Sequence, residues 1–256
     1  MGDFNYTIVR ETAHRPWPMP RRPWVMRQTW SDLLFAHWPI DARVLRPKIP
    51  AAFELDLFHG RAWLGIVPFF MTNVSPRGVP SLPWISEFAE LNVRTYVIVG
   101  DRPGVYFFSL DAGSTLAVQA ARALLNLPYY SASMKVTPRV TPHAAAIHYE
   151  SDRGASGSSA EFIATYQPAG DAFVAEAGSL EYFLAERYCL YHVDHRGRPY
   201  RLDIHHPPWS LQPARAEIAR NSMASVHGLT LPDRKPLLHF AKRQDTVAWL
   251  PEMLAV

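Results

Sequence analysis

Residues 122–135 read Arg122-Ala-Leu-Leu-Asn-Leu-Pro-Tyr-Tyr-Ser-Ala-Ser-Met-Lys135. The run into Leu127 is apolar at helical spacing, and Pro128 stops a helix because it lacks a backbone donor and disfavours the helical conformation before it. Two tyrosines and a strand-like run follow. Upstream, Ser114 is placed to cap a helix over Thr115 to Leu125 that packs through Leu116, Ala120, Ala121 and Leu124. A short helix that delivers an aromatic pair onto a strand is the local pattern on which the fold reading turns.

Around this stretch the chain alternates short strands with turns. Trp30 to Trp38 reads as a strand, and Phe53 to Phe58 and Arg61 to Met71 read as two more, joined at His59-Gly60, a hairpin signal. Glu90 to Val99 alternates, with Glu90, Asn92, Arg94 and Tyr96 on one face and Leu91, Val93, Thr95 and Val97 on the other. Asp101 to Gly104 is a turn, and Val105 to Leu110 is apolar on both faces. Further strands are expected at Ala132–Thr137, Ala144–Glu150, Ala160–Tyr166, Tyr188–Val193, Tyr200–His205, Ser210–Asn221 and Leu237–Trp249. Ser179 caps a second helix, Leu180 to Arg187, with Tyr182 and Glu186 one turn apart. That helix reads as an amphipathic surface element, the alternative being a cover over a cavity mouth.

The 256 residues include 23 prolines, 13 glycines and one cysteine, Cys189, and carry a net charge of +3. Proline at that level opposes long helices and favours many short strands. A single cysteine leaves no disulfide framework, which fits a reducing cytoplasm. Met1 to Arg10 has no apolar signal-peptide core, and no apolar run reaches membrane-spanning length. No Lys/Arg stripe or aromatic-basic motif points to nucleic acid. Residues 1–25, rich in Pro, Arg and Trp, read as an extended arm that packs on the body or on a second subunit of a homo-oligomer, and residues 26–256 read as one domain.

The order of helix, Leu127-Pro128 and Tyr129-Tyr130 resembles the acetoacetate decarboxylase family. There two adjacent lysines follow the helix, and one forms a Schiff base with the substrate ketone. In this chain those places are Tyr129 and Tyr130. Ile40 to Asp56 and Pro208 to Glu217 extend the likeness over most of residues 30–245. Five motifs in order are also similar to the YqjF-like family, domain of unknown function 2071, within that superfamily. They are Phe35-Ala-His-Trp38, Leu64-Gly-Ile-Val-Pro-Phe-Phe70, Glu90-Leu-Asn-Val-Arg-Thr-Tyr96, Gly104-Val-Tyr-Phe-Phe-Ser-Leu-Asp111 and Leu127-Pro-Tyr-Tyr130. The resemblance implies a mainly β (α+β) fold, an antiparallel β-barrel or cone with two or three short flanking helices. Strand spacing and prolines agree with it.

Candidate chemistry is confined to a few residues. Glu90, Asn92 and Arg94 share a strand face, which either lines a cavity suited to a carbonyl or carboxylate ligand or faces solvent. Tyr129 and Tyr130 either donate phenolic hydrogen bonds into that cavity or pack as plain aromatics. Lys135 is the lysine nearest the family's nucleophile position. It is read either as a replacement amine or as a strand lysine with its head in water. His37 lies on a strand that lines the family's cavity. His205-His206 point to opposite strand faces, and no zinc-ligand spacing or nucleophile-elbow motif is present. The catalytic candidates are thus Glu90, Tyr130 and Lys135, and the ligand-binding candidates His37, Asn92, Arg94 and Tyr129.

The expected function is that of a small-molecule protein with an internal aromatic-lined cavity. As an enzyme it would be a cofactor-independent lyase or isomerase acting on a carbonyl or aromatic compound without a Schiff-base lysine. The alternative is a non-catalytic ligand-binding or sensing protein on the same barrel. Neither metal nor organic cofactor, nucleic acid nor membrane enters either reading.

Overall fold

The computed structural model describes residues 3–81, 86–115, 118–119, 127–140, 145–154 and 159–255. Fourteen strands run through them. In chain order these are β1 (Met26–Ile40), β2 (Glu54–Leu55), β3 (Ala62–Pro76), β4 (Phe88–Val99), β5 (Arg102–Ala112), β6 (Tyr129–Ser131) and β7 (Ser133–Val140). They continue with β8 (Ala145–Asp152), β9 (Glu161–Pro168), β10 (Cys189–Val193), β11 (Pro199–His205), β12 (Leu211–Asn221), β13 (Leu237–Ala248) and β14 (Glu252–Met253). Two short α-helices, α1 (Ala42–Leu45) and α2 (Leu180–Ala185), are capped by the side chains of Asp41 and Ser179. The helix expected over 115–125 begins with Val118 N donating to Ser114 O. Residues 116–117 and 120–126 lie outside the described residues.

Seven strands form a ring whose hydrogen-bonded path returns on itself: β11-β10-β5-β4-β3-β1-β13, with β13 pairing back onto β11. Ile204 opposite Ala248 and His205 opposite Val247 make that closing seam. Closure leaves these strands no open edge. The pairings are antiparallel except those of β5 with β10 and with β6, which are parallel. Two irregular positions let the long strands β1 and β3 curl. Asp32 and Asn73 both take positive φ, 53° and 55°, beside register shifts in the β1–β3 ladder. At His59-Gly60 both residues have positive φ and Phe58 pairs with Arg61, as a two-residue hairpin turn requires. The strand expected over Phe53 to Phe58 shrinks to Glu54–Leu55, because Asp56 N and those two residues are all that reach β4.

Strands β7, β8, β9 and β12 form a second layer against the outside of the ring. Leu34, Ala36, Ile66, Leu91 and Val93 of the ring meet Tyr149, Phe162 and Tyr166 of that layer in one buried cluster. The alternate residues Leu33, Phe35, Val67, Phe69 and Leu110 belong to a second cluster inside the ring. Strands β1, β3, β4 and β5 are therefore buried on both faces, which is why their sequences carry apolar residues in both registers. The arm packs on its own chain. Tyr6–Arg10 is a 3-10 turn rather than extended chain, and Phe4 and Ile8 are buried with Val247 and Trp249. His205 Nε2 donates to Ile8 O, and Arg15 donates to Ile204 O.

Gly104 sits where β5 meets β10. A Cβ there would lie 2.7 Å from the Tyr191 ring and 2.8 Å from both Cys189 O and Cys189 Sγ. Gly104→Ala should therefore destabilise the protein by about 1–3 kcal/mol, the usual range for overpacking. This outweighs the roughly 0.4–1 kcal/mol that Gly→Ala gains by stiffening the unfolded chain. Urea unfolding of the variant within 0.5 kcal/mol of the parent, on the order of an ordinary surface change, would refute this reading of the β5–β10 contact.

Candidate functional site

Alternation along β4 sends Glu90, Asn92 and Arg94 into the ring, where they line a cavity of about 90 Å³. Tyr129 enters from β6, Arg187 from the segment between α2 and β10, and Trp209 from the segment before β12. Glu90 is 3 % exposed. Tyr129 Oη donates to Glu90 Oε2 at 3.1 Å. Burial pushes the Glu90 carboxyl up to about 8, the tyrosine bond offsets part of that, and the nearby Asp111 adds to it. Glu90 is thus a neutral acid at pH 7. Burial and the Glu90 charge also hold the Tyr129 phenol well above its ordinary range.

The guanidinium of Arg94 lies over the Phe35 ring at 5.3 Å and donates to Leu184 O at 3.1 Å. Its Nε and the Asn92 Oδ1 are buried without a protein partner. Tyr96 Oη donates to the same Leu184 carbonyl at 2.8 Å. The end of α2 is therefore bound to the cavity wall, and Leu184 and Ala185 are buried in the inner cluster. The helix covers one end of the ring instead of lying free on the surface. Arg187 pairs with Asp56 at 2.5 Å, and its Nε donates to Phe183 O at 2.6 Å. Trp209 is positioned by its backbone N, which donates to Glu186 Oε1 at 2.8 Å; its indole Nε1 is buried and unpartnered.

His37 does not line the cavity. It is fully buried behind Tyr96, with Nε2 2.7 Å from Tyr96 Oη. Because that hydroxyl gives its proton to Leu184 O, the His37 Nε2 is the protonated nitrogen of a neutral ring. Burial, helped by Arg94, holds His37 well below its ordinary value. Gly65 pairs with both His37 and Arg94, and a Cβ there would come within 3.0 Å of the His37 ring. That glycine lets histidine and arginine approach across one strand.

Two catalytic candidates fall elsewhere. Tyr129 and Tyr130 are neighbours on a strand, so their side chains point to opposite faces. Tyr129 takes the inward place, and Tyr130 packs outside with its ring 4.1 Å from the Arg153 guanidinium. Arg153 is paired in turn with buried Asp111 at 2.6 Å. Lys135 is exposed on β7, in the outer layer, opposite Glu150. Neither Tyr130 nor Lys135 reaches the cavity, which no lysine lines. Sequence reasoning passed over Arg187 and Trp209, and weighed His206 only as a metal ligand. The first arrives from a loop after a helix, and the others from the turn following β11, so no periodic pattern marks them. His206 is stacked on Tyr188 at 4.6 Å and is held at about 4 by burial, so it is neutral. Among the described residues no three His, Cys, Asp or Glu side chains gather to hold a metal ion. No helix of the described residues is long and apolar enough to cross a membrane.

Ring and outer layer together give the chain an acetoacetate decarboxylase-like fold. Its fold is similar to that of the enduracididine biosynthesis enzyme MppR, solved with the condensation product of pyruvate and imidazole 4-carboxaldehyde. The TM-score is 0.64 at 11% identity, over 91% of this chain and 90% of that one. It is likewise similar to the acetoacetate decarboxylase of Legionella pneumophila, with a TM-score of 0.60 at 12% identity over 100% and 98% of the two chains. At such identities the likeness is one of fold. By sequence the chain belongs to the family DUF2071, described as an uncharacterized conserved protein, whose profile matches residues 27–245. The uncharacterized protein YqjF of Bacillus subtilis (strain 168) is 48% identical over 231 residues, 90% of this chain and 93% of the relative.

The raised Glu90 value carries a sign. The folded state holds a proton that the unfolded chain, with a carboxyl near 4.5, releases. Its contribution to stability is complete below about pH 4.5 and is lost as pH rises through about 8. At about 1.4 kcal/mol per tenfold in proton affinity, the full effect is on the order of 5 kcal/mol. Glu90→Gln keeps the shape and removes the titration. The variant should gain on the parent between about pH 5 and pH 9, and urea unfolding at the two ends measures the gain. Identical pH slopes for the two proteins would sink the assignment.

Proposed function

We propose that this protein binds a small carbonyl compound in the ring cavity and acts on it as a cofactor-independent lyase or isomerase. The observation that carries this is the neutral Glu90 carboxyl held inside a ring that also presents Arg94 and Arg187. A buried acid near the operating pH is suited to proton transfer. Glu90 would give its proton to the carbonyl oxygen, and the carboxylate so formed would take the proton lost from the α-carbon, which leaves an enol and a neutral Glu90. Arg94 and Arg187 would hold a carboxylate or a developing enolate. The volume narrows the ligand. At about 90 Å³ the cavity is smaller than the roughly 150 Å³ that accommodates benzene, which favours a compound of pyruvate size over an aromatic one. That the similar MppR was solved with a pyruvate-derived product agrees with this choice.

A Schiff base has no amine to form on, since the family's lysine places are Tyr129 and Tyr130 and Lys135 is on the surface. Borohydride added with pyruvate or acetoacetate should leave the protein mass unchanged. A stable adduct that disappears in Lys135→Ala would restore imine chemistry.

The alternative, binding without turnover, rests on the same cavity and is separated by one measurement. In deuterated water the enzyme should exchange the α-protons of pyruvate, followed by proton NMR, and Glu90→Gln should slow this by roughly 100-fold or more. Saturable pyruvate binding by calorimetry, weakened tenfold in Arg94→Gln but with no exchange or other turnover, would establish the ligand-binding protein instead.

A further inference from the structure

Outside the ring, segment 18–22 of the arm, Arg102, Arg201 and Glu252 enclose a groove of about 400 Å³. Four guanidiniums, those of Arg21, Arg22, Arg102 and Arg201, line it against one carboxylate, Glu252. Arg201 is paired with Asp203 at 3.1 Å and with Glu252 at 3.2 Å, and Arg22 lies 3.6 Å from Glu252. Arg21 and Arg102 have no ion-pair partner among the described residues. Such a cleft focuses positive potential and attracts anions.

The groove is also built in advance. Trp249 Nε1 donates to Arg22 O at 2.6 Å, and Arg22 Nη2 donates to Leu250 O at 2.7 Å, so the arm wall is fixed at both backbone and side chain. Met19 packs against the buried cluster of Phe4, Ile8, Val247 and Trp249. Pro18 and Pro20 stiffen the segment between. On the opposite wall Arg102 lies over the Trp17 ring at 5.8 Å. Little ordering is left for a ligand to impose, which is the condition under which charge complementarity becomes affinity. The volume is that of an ordinary small-molecule site and exceeds what a single water-sized ion needs.

We propose that this groove binds a small oxyanion bearing two or more negative charges, a phosphate ester or a polycarboxylate, through Arg21, Arg102 and the Glu252-linked pair Arg22 and Arg201. The ligand oxygens take the places around the guanidiniums that Glu252 fills only in part, two to a fork. Binding there ties the arm to β5 and β11 and is independent of the chemistry proposed for the ring cavity.

The test is calorimetric titration of the full chain with pyrophosphate and with citrate at constant ionic strength. Saturable binding is expected. Arg102→Gln and Arg21→Gln should each weaken it about tenfold, and Glu252→Gln, which removes the competing carboxylate, should strengthen it several-fold. Arg43→Gln, at an exposed arginine elsewhere, should leave it unchanged. Preference for pyrophosphate assigns a phosphate ester, and preference for citrate a polycarboxylate. Since Arg21 is exposed, its variant keeps the test open if Arg102→Gln fails to fold. Absence of saturable binding, or losses in Arg43→Gln equal to those in Arg21→Gln and Arg102→Gln, would overturn the proposal.

Discussion

The pairing of β11 with β13 is short, two residues on each side, and everything at the centre of the molecule depends on it. Without that seam the seven strands would be an open twisted sheet with two exposed edges, and Glu90 would have no enclosed space to face. The arm reinforces the seam from outside. Arg15 bonds Ile204 O, His205 bonds Ile8 O, and Phe4 and Ile8 pack on Val247 and Trp249, so residues on both seam strands are held by the same segment. Closure also forces the shape of β1 and β3, whose positive-φ residues Asp32 and Asn73 absorb the bend.

Once the ring is closed, polarity inside it acquires consequences that the same side chains would lack on a surface. A carboxyl that is 3 % exposed keeps its proton up to about pH 8, because the loss of hydration outweighs the single bond from Tyr129. Asp111, on the outside of β5, resolves the same problem differently. Burial raises it too, but Arg153 sits against it at 2.6 Å with Tyr130 beneath. Two buried acids a short distance apart thus differ in whether they have a cation, and only the one without a cation faces the cavity.

Arg94 shows how the site is braced. It lies over Phe35, shares the Leu184 carbonyl with Tyr96, and passes Gly65 on the way to His37. A neutral histidine, a tyrosine and one helix-end carbonyl therefore fix a guanidinium that has no carboxylate partner among the described residues, which leaves its charge available to a ligand. His37 belongs to this support and touches no cavity surface.

Much of the architecture was legible in one dimension. Period-two alternation along Glu90 to Tyr96 and the His59-Gly60 turn are local signals, and local sterics answer them. The five ordered motifs named the family. Which face of β4 is inward was undecidable from alternation, because both faces are buried and the same pattern fits either. Tyr129 and Tyr130 are chemically identical neighbours, so only their register against β5 separates the one that touches Glu90 from the one that packs on Arg153. Lys135 was placed by sequence distance, yet it belongs to the outer layer because β7 pairs with β8 and no ring strand. Arg187 and Trp209 reach the cavity from irregular segments with no period to read. The sequence thus settles strands, turns and family, which depend on neighbours along the chain. The identity of the cavity wall rests on pairings between residues dozens to hundreds of positions apart, and only the closed ring brings those together.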